Sequence, residues 1–201
     1  MPRQATADSS PTARNSLTRE DWIEAAMRVL EAKSVDAVRI ETLAQELNVT
    51  RGSFYWHFRS RNALLEAMLT AWRNAATEQV IDRFERRKTS PTEQIHDLLS
   101  LPFRGQAAKR AAATELAMRA WARRDAMARK VVDEVDATRL SYIAQCFSAL
   151  GLDLAEARLR AFALYAYEVS ESLLSAQGSD LQKRERRAFM ARVLLDLPPS
   201  A

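Results

Sequence analysis

Apolar positions recur at three- and four-residue intervals through most of the chain, the spacing of one face of an α-helix. No stretch sustains the two-residue alternation of a strand, and no repeat of fixed period is present. Thr18 and Asp21 make a helix-start box, after which Trp22, Ala26, Val29 and Leu30 carry a first helix to about Lys33. Ile40, Leu43, Ala44 and Leu47 mark a second helix of barely two turns that stops at Asn48, a residue that enters the left-handed region cheaply and so suits a sharp turn between crossed helices. Thr50 is expected to cap a third, short helix in which Phe54 and Phe58, four apart, point inward. Ser60 opens a fourth helix whose apolar face, Leu65, Met68, Leu69, Trp72, Ala76, Val80 and Phe84, runs toward Lys88. At 1.5 Å per residue this helix is roughly 43 Å long, enough to link two domains. Further helices are predicted near 91–101, 106–124, 125–150, 153–176 and 180–196, with Pro102, Gly105, Gly151 and Gly178 between them.

The expected fold is therefore all-α: a small N-terminal three-helix unit over 17–62, joined by the long helix to a helical bundle over 63–201. Residues 1–16, rich in Ser, Thr, Ala and Pro, are expected to form a disordered and mainly inert tail, with Arg3 and Arg14 able to touch phosphates of an anionic partner. Composition agrees with a folded protein, since 47% of residues are hydrophobic and 28% charged. No apolar run approaches the ~20 residues of a membrane span, and the first fifteen residues lack the apolar segment of a signal peptide. The expectation is a cytoplasmic protein without a membrane partner. Cys146 stands alone and reads as a small buried hydrophobe, and no metal or cofactor is implied. A net charge of +4 permits an anionic partner without requiring one.

The local charge distribution is more telling. Residues 51–61, RGSFYWHFRSR, hold three arginines and no acid, and between the two inward Phe lie Tyr55, Trp56 and His57, which must face outward. Arg51, Arg59 and Arg61 suit phosphates, while Ser53, Tyr55, Trp56 and His57 offer hydrogen bonds and apolar contacts to DNA. The helix N-terminus at Gly52 adds an anion-binding end. A plain solvated face would account for the arginines but not for three adjacent exposed aromatics.

Leu43-Ala44, the turn Asn48-Val49-Thr50, then Arg51 through Phe58 and Arg61 together resemble the DNA-binding signature of the TetR family over roughly residues 17–72. The resemblance implies a helix-turn-helix whose second helix enters the major groove. Tyr55, His57 and Arg61 match its phosphate-contacting positions, and Arg51, Gly52, Ser53 and Trp56 match positions near base edges. Two residues depart from the pattern: Arg39 stands where Thr or Ser is usual, losing a side-chain cap while offering a phosphate contact, and Asn48 replaces Gly. The resemblance also implies that residues 63–201 bind an effector and dimerise, that the operator is palindromic, and that the homodimer represses until a small molecule releases it.

Within the bundle, AFALYAYEV at 161–169 is apolar nearly all round, as expected of a helix covered on both sides. A partner subunit is expected against Leu159, Phe162, Ala163, Ala166, Val169 and Leu173. Trp72, Phe103, Met118, Trp121, Tyr142, Phe147 and Tyr165 are candidate walls of a ligand cavity. His96, Arg119 and Glu168 are its candidate polar groups. Residues 104–130 carry eight basic side chains against Glu115 and Asp125, which attracts an anionic effector or merely solvates the helices. An enzyme is disfavoured, because the chain lacks a glycine-rich phosphate loop, a nucleophile elbow and a metal-binding helix. A purely protein-binding scaffold leaves the 51–61 surface without an explanation.

Overall fold

A reciprocal cap starts the first helix: Thr18 Oγ1 accepts from the Asp21 amide at 3.2 Å while Asp21 Oδ2 accepts from the Thr18 amide at 2.6 Å. The computed structural model describes residues 17–196, so the expected tail at 1–16 lies outside the described residues. Helix α1 spans Arg19–Ala32, and a single 3₁₀ turn at Val35–Ala37 leads to α2, Ile40–Glu46. Arg39 stands at the N-cap of α2 without a side-chain capping bond, as its size and chemistry require. Helix α3 is only Arg51–Tyr55. Contrary to expectation, the Thr50 side chain does not cap it. The Ser53 amide that would be capped bonds instead to the Thr50 backbone carbonyl at 3.1 Å, the tight i to i+3 closure of a very short helix.

Ser60 caps α4, Arg61–Arg73, through the Ala63 amide at 3.2 Å. The expected long helix then continues through a π-helical turn at Asn74–Glu78 into α5, Gln79–Arg87, and ends on Lys88 in the left-handed region at φ 48°. The π-turn inserts an extra residue, so the buried stripe steps from Trp72 to Thr77, five apart, before reaching Phe84. Ala76 and Val80, which a straight helix would bury with Trp72, are half-buried instead. Helices α6 (Pro91–Leu99), α7 (Gly105–Ala122), α8 (Ala126–Ser148), α9 (Leu154–Leu173) and α10 (Asp180–Leu194) complete the described chain, which holds no strand.

Two apolar clusters support these helices. The first gathers Trp22, Leu43, Phe54, Phe58 and Leu65 of the N-terminal unit and runs on through Trp72 into Met118 and Trp121 of α7 and Val132 of α8. The second joins Phe84, Ile95 and Leu99 to Phe147 of α8, Leu164 of α9 and Leu194 of α10. The N-terminal unit is thus held by more than the long helix. Thr114 of α7 donates to Glu31 of α1, and Arg124 reaches Asp36 at 3.5 Å.

Arg61 fixes the root of α4. Its Nε donates to the Val38 carbonyl and its Nη2 to the Val35 carbonyl, each at 2.6 Å. These bonds satisfy carbonyls in the segment between α1 and α2. Arg61→Ala is expected to cost about 2 kcal/mol, because it removes two charge-assisted bonds from part-buried carbonyls, and Arg61→Lys should recover little, since an ammonium on a flexible stem lacks the planar fork. Urea denaturation monitored by circular dichroism checks this; a midpoint unchanged in Arg61→Ala overturns the structural role.

Candidate nucleic-acid interface and interior polar site

The turn between α2 and α3 is built as its sequence requires. Asn48 takes φ 53°, its amide bonds to Gln45 O at 3.1 Å, and the Val49 amide bonds back to Ala44 O at 2.9 Å. Five residues of helix cannot hold themselves. Helix α3 is held by its aromatics: Phe54 is fully buried, edge-on to Trp22 with centroids 5.3 Å apart, and stacks on Phe58 at 5.6 Å. The Arg19 guanidinium lies 4.8 Å from the Phe58 ring.

Locking those two rings inward turns the rest out. Trp56 is 88% exposed and Tyr55 53%. Arg51, Gly52 and Arg59 are exposed, and Ser53 and His57 half-buried, the His57 ring 6.4 Å from Trp22. Arg39 is exposed, its Nε 3.2 Å from Asp36 O, and Thr50 is exposed beside it in the same face-forming segment. Arg51 pairs with Glu41 at 3.1 Å, but both are well exposed, so the pair is weak and easily exchanged. A Cβ on Gly52 would meet only Thr50 Oγ1, at an ordinary 3.6 Å. Nothing inside the fold therefore demands glycine there.

The residues expected to line a ligand cavity are dispersed. Trp72, Met118 and Trp121 belong to the first cluster, and Tyr142, Phe147 and Tyr165 to the second. His96 is exposed on α6 and takes no part, because the buried face of that helix is Ile95, Leu98 and Leu99. Phe103 is half-buried with the Arg187 guanidinium 5.7 Å from its ring. What does converge is Trp72 with Tyr165, each 5.9 Å from the Arg139 guanidinium.

Arg139 and its neighbours form a half-buried polar site that the sequence reading largely missed. Its Nε donates to Thr77 Oγ1 and its Nη2 to Ala76 O, both at 3.1 Å, so it grips the π-turn. It also pairs with both oxygens of Glu115, at 3.2 and 3.1 Å. Arg119 bonds Glu115 at 2.9 Å and Asp136 at 3.0 and 2.6 Å, and the Tyr165 hydroxyl donates to Asp136 at 2.5 Å. Burial alone would raise the Asp136 carboxyl, but the bonds from Arg119 and Tyr165 outweigh it and hold it low. Burial pushes the Tyr165 hydroxyl up to about 12. Glu168 lies beside this group; burial, with Arg139 opposing and Glu115 adding, pushes its carboxyl up to about 8. The missed signal was four charged residues, Glu115, Arg119, Asp136 and Arg139, spaced at three and four along otherwise inward faces of α7 and α8.

Helix α9 buries one face, Ala157, Ala161, Leu164 and Tyr165, against its own chain. Opposite, Leu159 is 68% and Phe162 66% exposed, with Ala166 and Leu173 alongside. On α10, Leu181, Phe189 and Val193 are also exposed. Ala163 and Val169 instead sit half-buried on the flank, packed against the second cluster of their own chain. No described helix is long and apolar enough to cross a membrane.

Residues 23–68 match the model for "Bacterial regulatory proteins, tetR family". The chain is 37% identical over 54 residues to the HTH-type transcriptional regulator SrpR of Pseudomonas putida, a match covering 27% of this chain and only 25% of that relative. Two solved structures share the fold over nearly the whole length. A putative transcriptional regulator from Saccharomonospora viridis in complex with choline gives a TM-score of 0.68 at 18% identity, covering 89% of this chain and 93% of that one. The regulator FadR from Bacillus subtilis in complex with stearoyl-CoA gives 0.63 at 17% identity, covering 88% and 97%. The helix-turn-helix at residues 23–68 is thus matched in sequence to the tetR family of bacterial regulatory proteins, and the helical architecture of the rest of the chain is shared in fold with solved transcriptional regulators.

Proposed function

We propose that this chain is a transcription regulator that binds a near-palindromic operator as a homodimer, acts as a repressor, and is released by a small-molecule effector. Residues 17–62 serve as the DNA reader, and 63–201 as the effector-binding and dimerising unit. The observation that carries this reading is the α3 segment, where the inward Phe54 and Phe58 rings leave Tyr55 and Trp56 facing outward beside the exposed Arg51 and Arg59, Arg51 held only by an exposed pair with Glu41. Tyr55 and His57 position the protein on phosphates; Arg51, Ser53 and Trp56 face bases; Gly52 lets the helix end approach the backbone. Arg39 and Thr50 flank that contact. Arg61 mainly anchors α4, and its Nη1, outside the two carbonyl bonds, is the atom left for a phosphate.

The homodimer reading rests on the exposed apolar faces of α9 and α10, which form a pattern typical of interaction surfaces. Effector control is supported by two structural neighbours solved with small ligands and by the Arg139 grip on the π-turn. That grip connects α7, α8 and α9 to the helix rooted at the reader. A ligand that re-sorts these bonds shifts α4 and with it the spacing of the two reading helices.

Gly52→Ala is expected to fold at least as stably as the parent, by up to about 1 kcal/mol from helix propensity, yet bind operator more weakly. Trp56→Ala should change sequence preference, at about 1–3 kcal/mol for a base contact, whereas Arg59→Ala should weaken all sequences alike and lower the salt slope by about one. Selection from a random DNA pool followed by fluorescence anisotropy at two salt concentrations separates these; parent-like binding in all three variants overturns the interface. Phe162→Arg should yield folded monomers by sedimentation velocity and lose tight operator binding. A dimer as stable as the parent's places the interface elsewhere. For the switch, any effector that weakens operator binding must itself be weakened by saturating operator by the same factor. Equal ligand affinity with and without saturating operator excludes the coupling for that compound.

A further inference from the structure

Resting on the effector-release clause of that reading, we propose that the effector is an organic cation, and that the Glu168 carboxylate is the point at which its positive group binds.

Five charged side chains meet where α7, α8 and α9 converge on the π-turn: Glu115, Arg119, Asp136, Arg139 and Glu168. Four of them are mutually satisfied. Arg119 takes Asp136 and Glu115, and Arg139 takes Glu115 together with Thr77, Ala76 and the Tyr165 hydroxyl at 3.1 Å. The Tyr165 proton is committed to Asp136. Glu168 is left over. Its Oε1 is buried and has no hydrogen-bond partner among the described residues. Buried polar oxygens are nearly always paired, and leaving one unpaired costs the folded state its full desolvation. The chain does not relieve that cost with its own cations, since all three guanidinium nitrogens of Arg139 are in use.

The missing partner is thus a donor from outside, and the local charge selects its sign. With Glu168 ionised, three acids face two bases here, so either a proton or a bound cation balances the cluster, whereas an anion would meet Glu115, Asp136 and Glu168 together. The same place supplies apolar wall: the Trp72 and Tyr165 rings both lie against Arg139. The buried Trp72 Nε1 also lacks a partner, so an acceptor elsewhere on the ligand would be met as well. Glu168 faces Glu115 from α7 and Arg139 from α8, and in the free protein burial holds its carboxyl at about 8. At neutral pH it is then mostly protonated. A cation that pairs with the carboxylate expels this proton, so its affinity should rise as pH increases toward 8, by on the order of tenfold per unit well below that value.

The test uses the full chain without DNA and a panel of alkyl- and arylammonium ions from methylammonium to 2-phenylethylammonium and putrescine, each matched by its neutral alcohol and by its carboxylate. Binding is followed by tryptophan fluorescence and calorimetry. At least one ammonium ion should bind tenfold or more tighter than its alcohol and its carboxylate, release a proton in proportion to the protonated fraction of Glu168, and gain affinity between pH 6 and 8. Glu168→Gln should lose that discrimination, and Glu168→Asp should keep it at reduced affinity. If Glu168→Gln does not fold, proton release and the ammonium-to-alcohol ratio in the parent decide the matter. No ammonium binding, equal binding of ammonium and alcohol, or discrimination that survives in a folded Glu168→Gln protein overturns the proposal. Operator release is measured separately. Ammonium binding without release keeps the cation site and removes the effector reading, while release by a neutral or anionic compound with equal potency on Glu168→Gln keeps the effector reading and removes the cation site.

Discussion

Arg139 brings a permanently charged fork of N–H donors into the middle of a helical bundle, and the helices around it are arranged to satisfy that fork. Its bonds to Glu115, Tyr165, Thr77 and Ala76 bring α7, α9 and the junction of α4 and α5 onto α8. Apolar packing lies on either side of it, the cluster with Trp22 and Trp121 toward the reader and the cluster with Phe147 and Leu164 toward the far end. A largely desolvated ionic group of this kind contributes little net stability over an apolar filling of the same shape, whereas removing one partner is costly. Its effect is on arrangement. Four elements have one relative placement in which every donor of Arg139 is used, and sliding any of them strands a charge.

The reader unit obeys a different constraint. Helix α3 is too short to persist alone, so its direction is set by Phe54 and Phe58 under Trp22 and by the left-handed Asn48 before it. Side chains on the opposite surface inherit their positions from those rings. The Arg61 bonds to Val35 and Val38 then fasten this unit to the start of α4, so that a movement of α4 moves the reader as a body.

Much of this was legible in the sequence, and for identifiable reasons. Helix positions followed from three-and-four spacing and from caps at Thr18 and Ser60, local rules that tertiary packing did not override, whereas Thr50 makes no side-chain cap. The exposure of Tyr55 and Trp56 followed from the inward placement of two Phe on one turn. Less legible was whatever depends on long-range partners. Arg61 looks from its composition like a phosphate contact, and only the placement of two carbonyls more than twenty residues earlier gives it a structural role. His96 and Glu168 were equally plausible polar groups in one dimension, yet one faces solvent and the other points inward. The π-turn left no mark in composition. Its trace was a five-residue step in the buried stripe, visible once Thr77 is known to be inside.

That turn also sets the rotational phase of the molecule. An α-helix advances about 100° per residue, so one additional residue absorbed within Asn74–Glu78 offsets the faces of α4 and α5 by about that angle relative to an uninterrupted helix of the same sequence. The reader at one end and the bundle at the other are therefore matched through a single inserted residue. Gain or loss of one residue in this segment is therefore less a change in length than a turn of the reader against the bundle, one that its contacts with α7, Thr114 to Glu31 and Arg124 to Asp36, would have to break to follow.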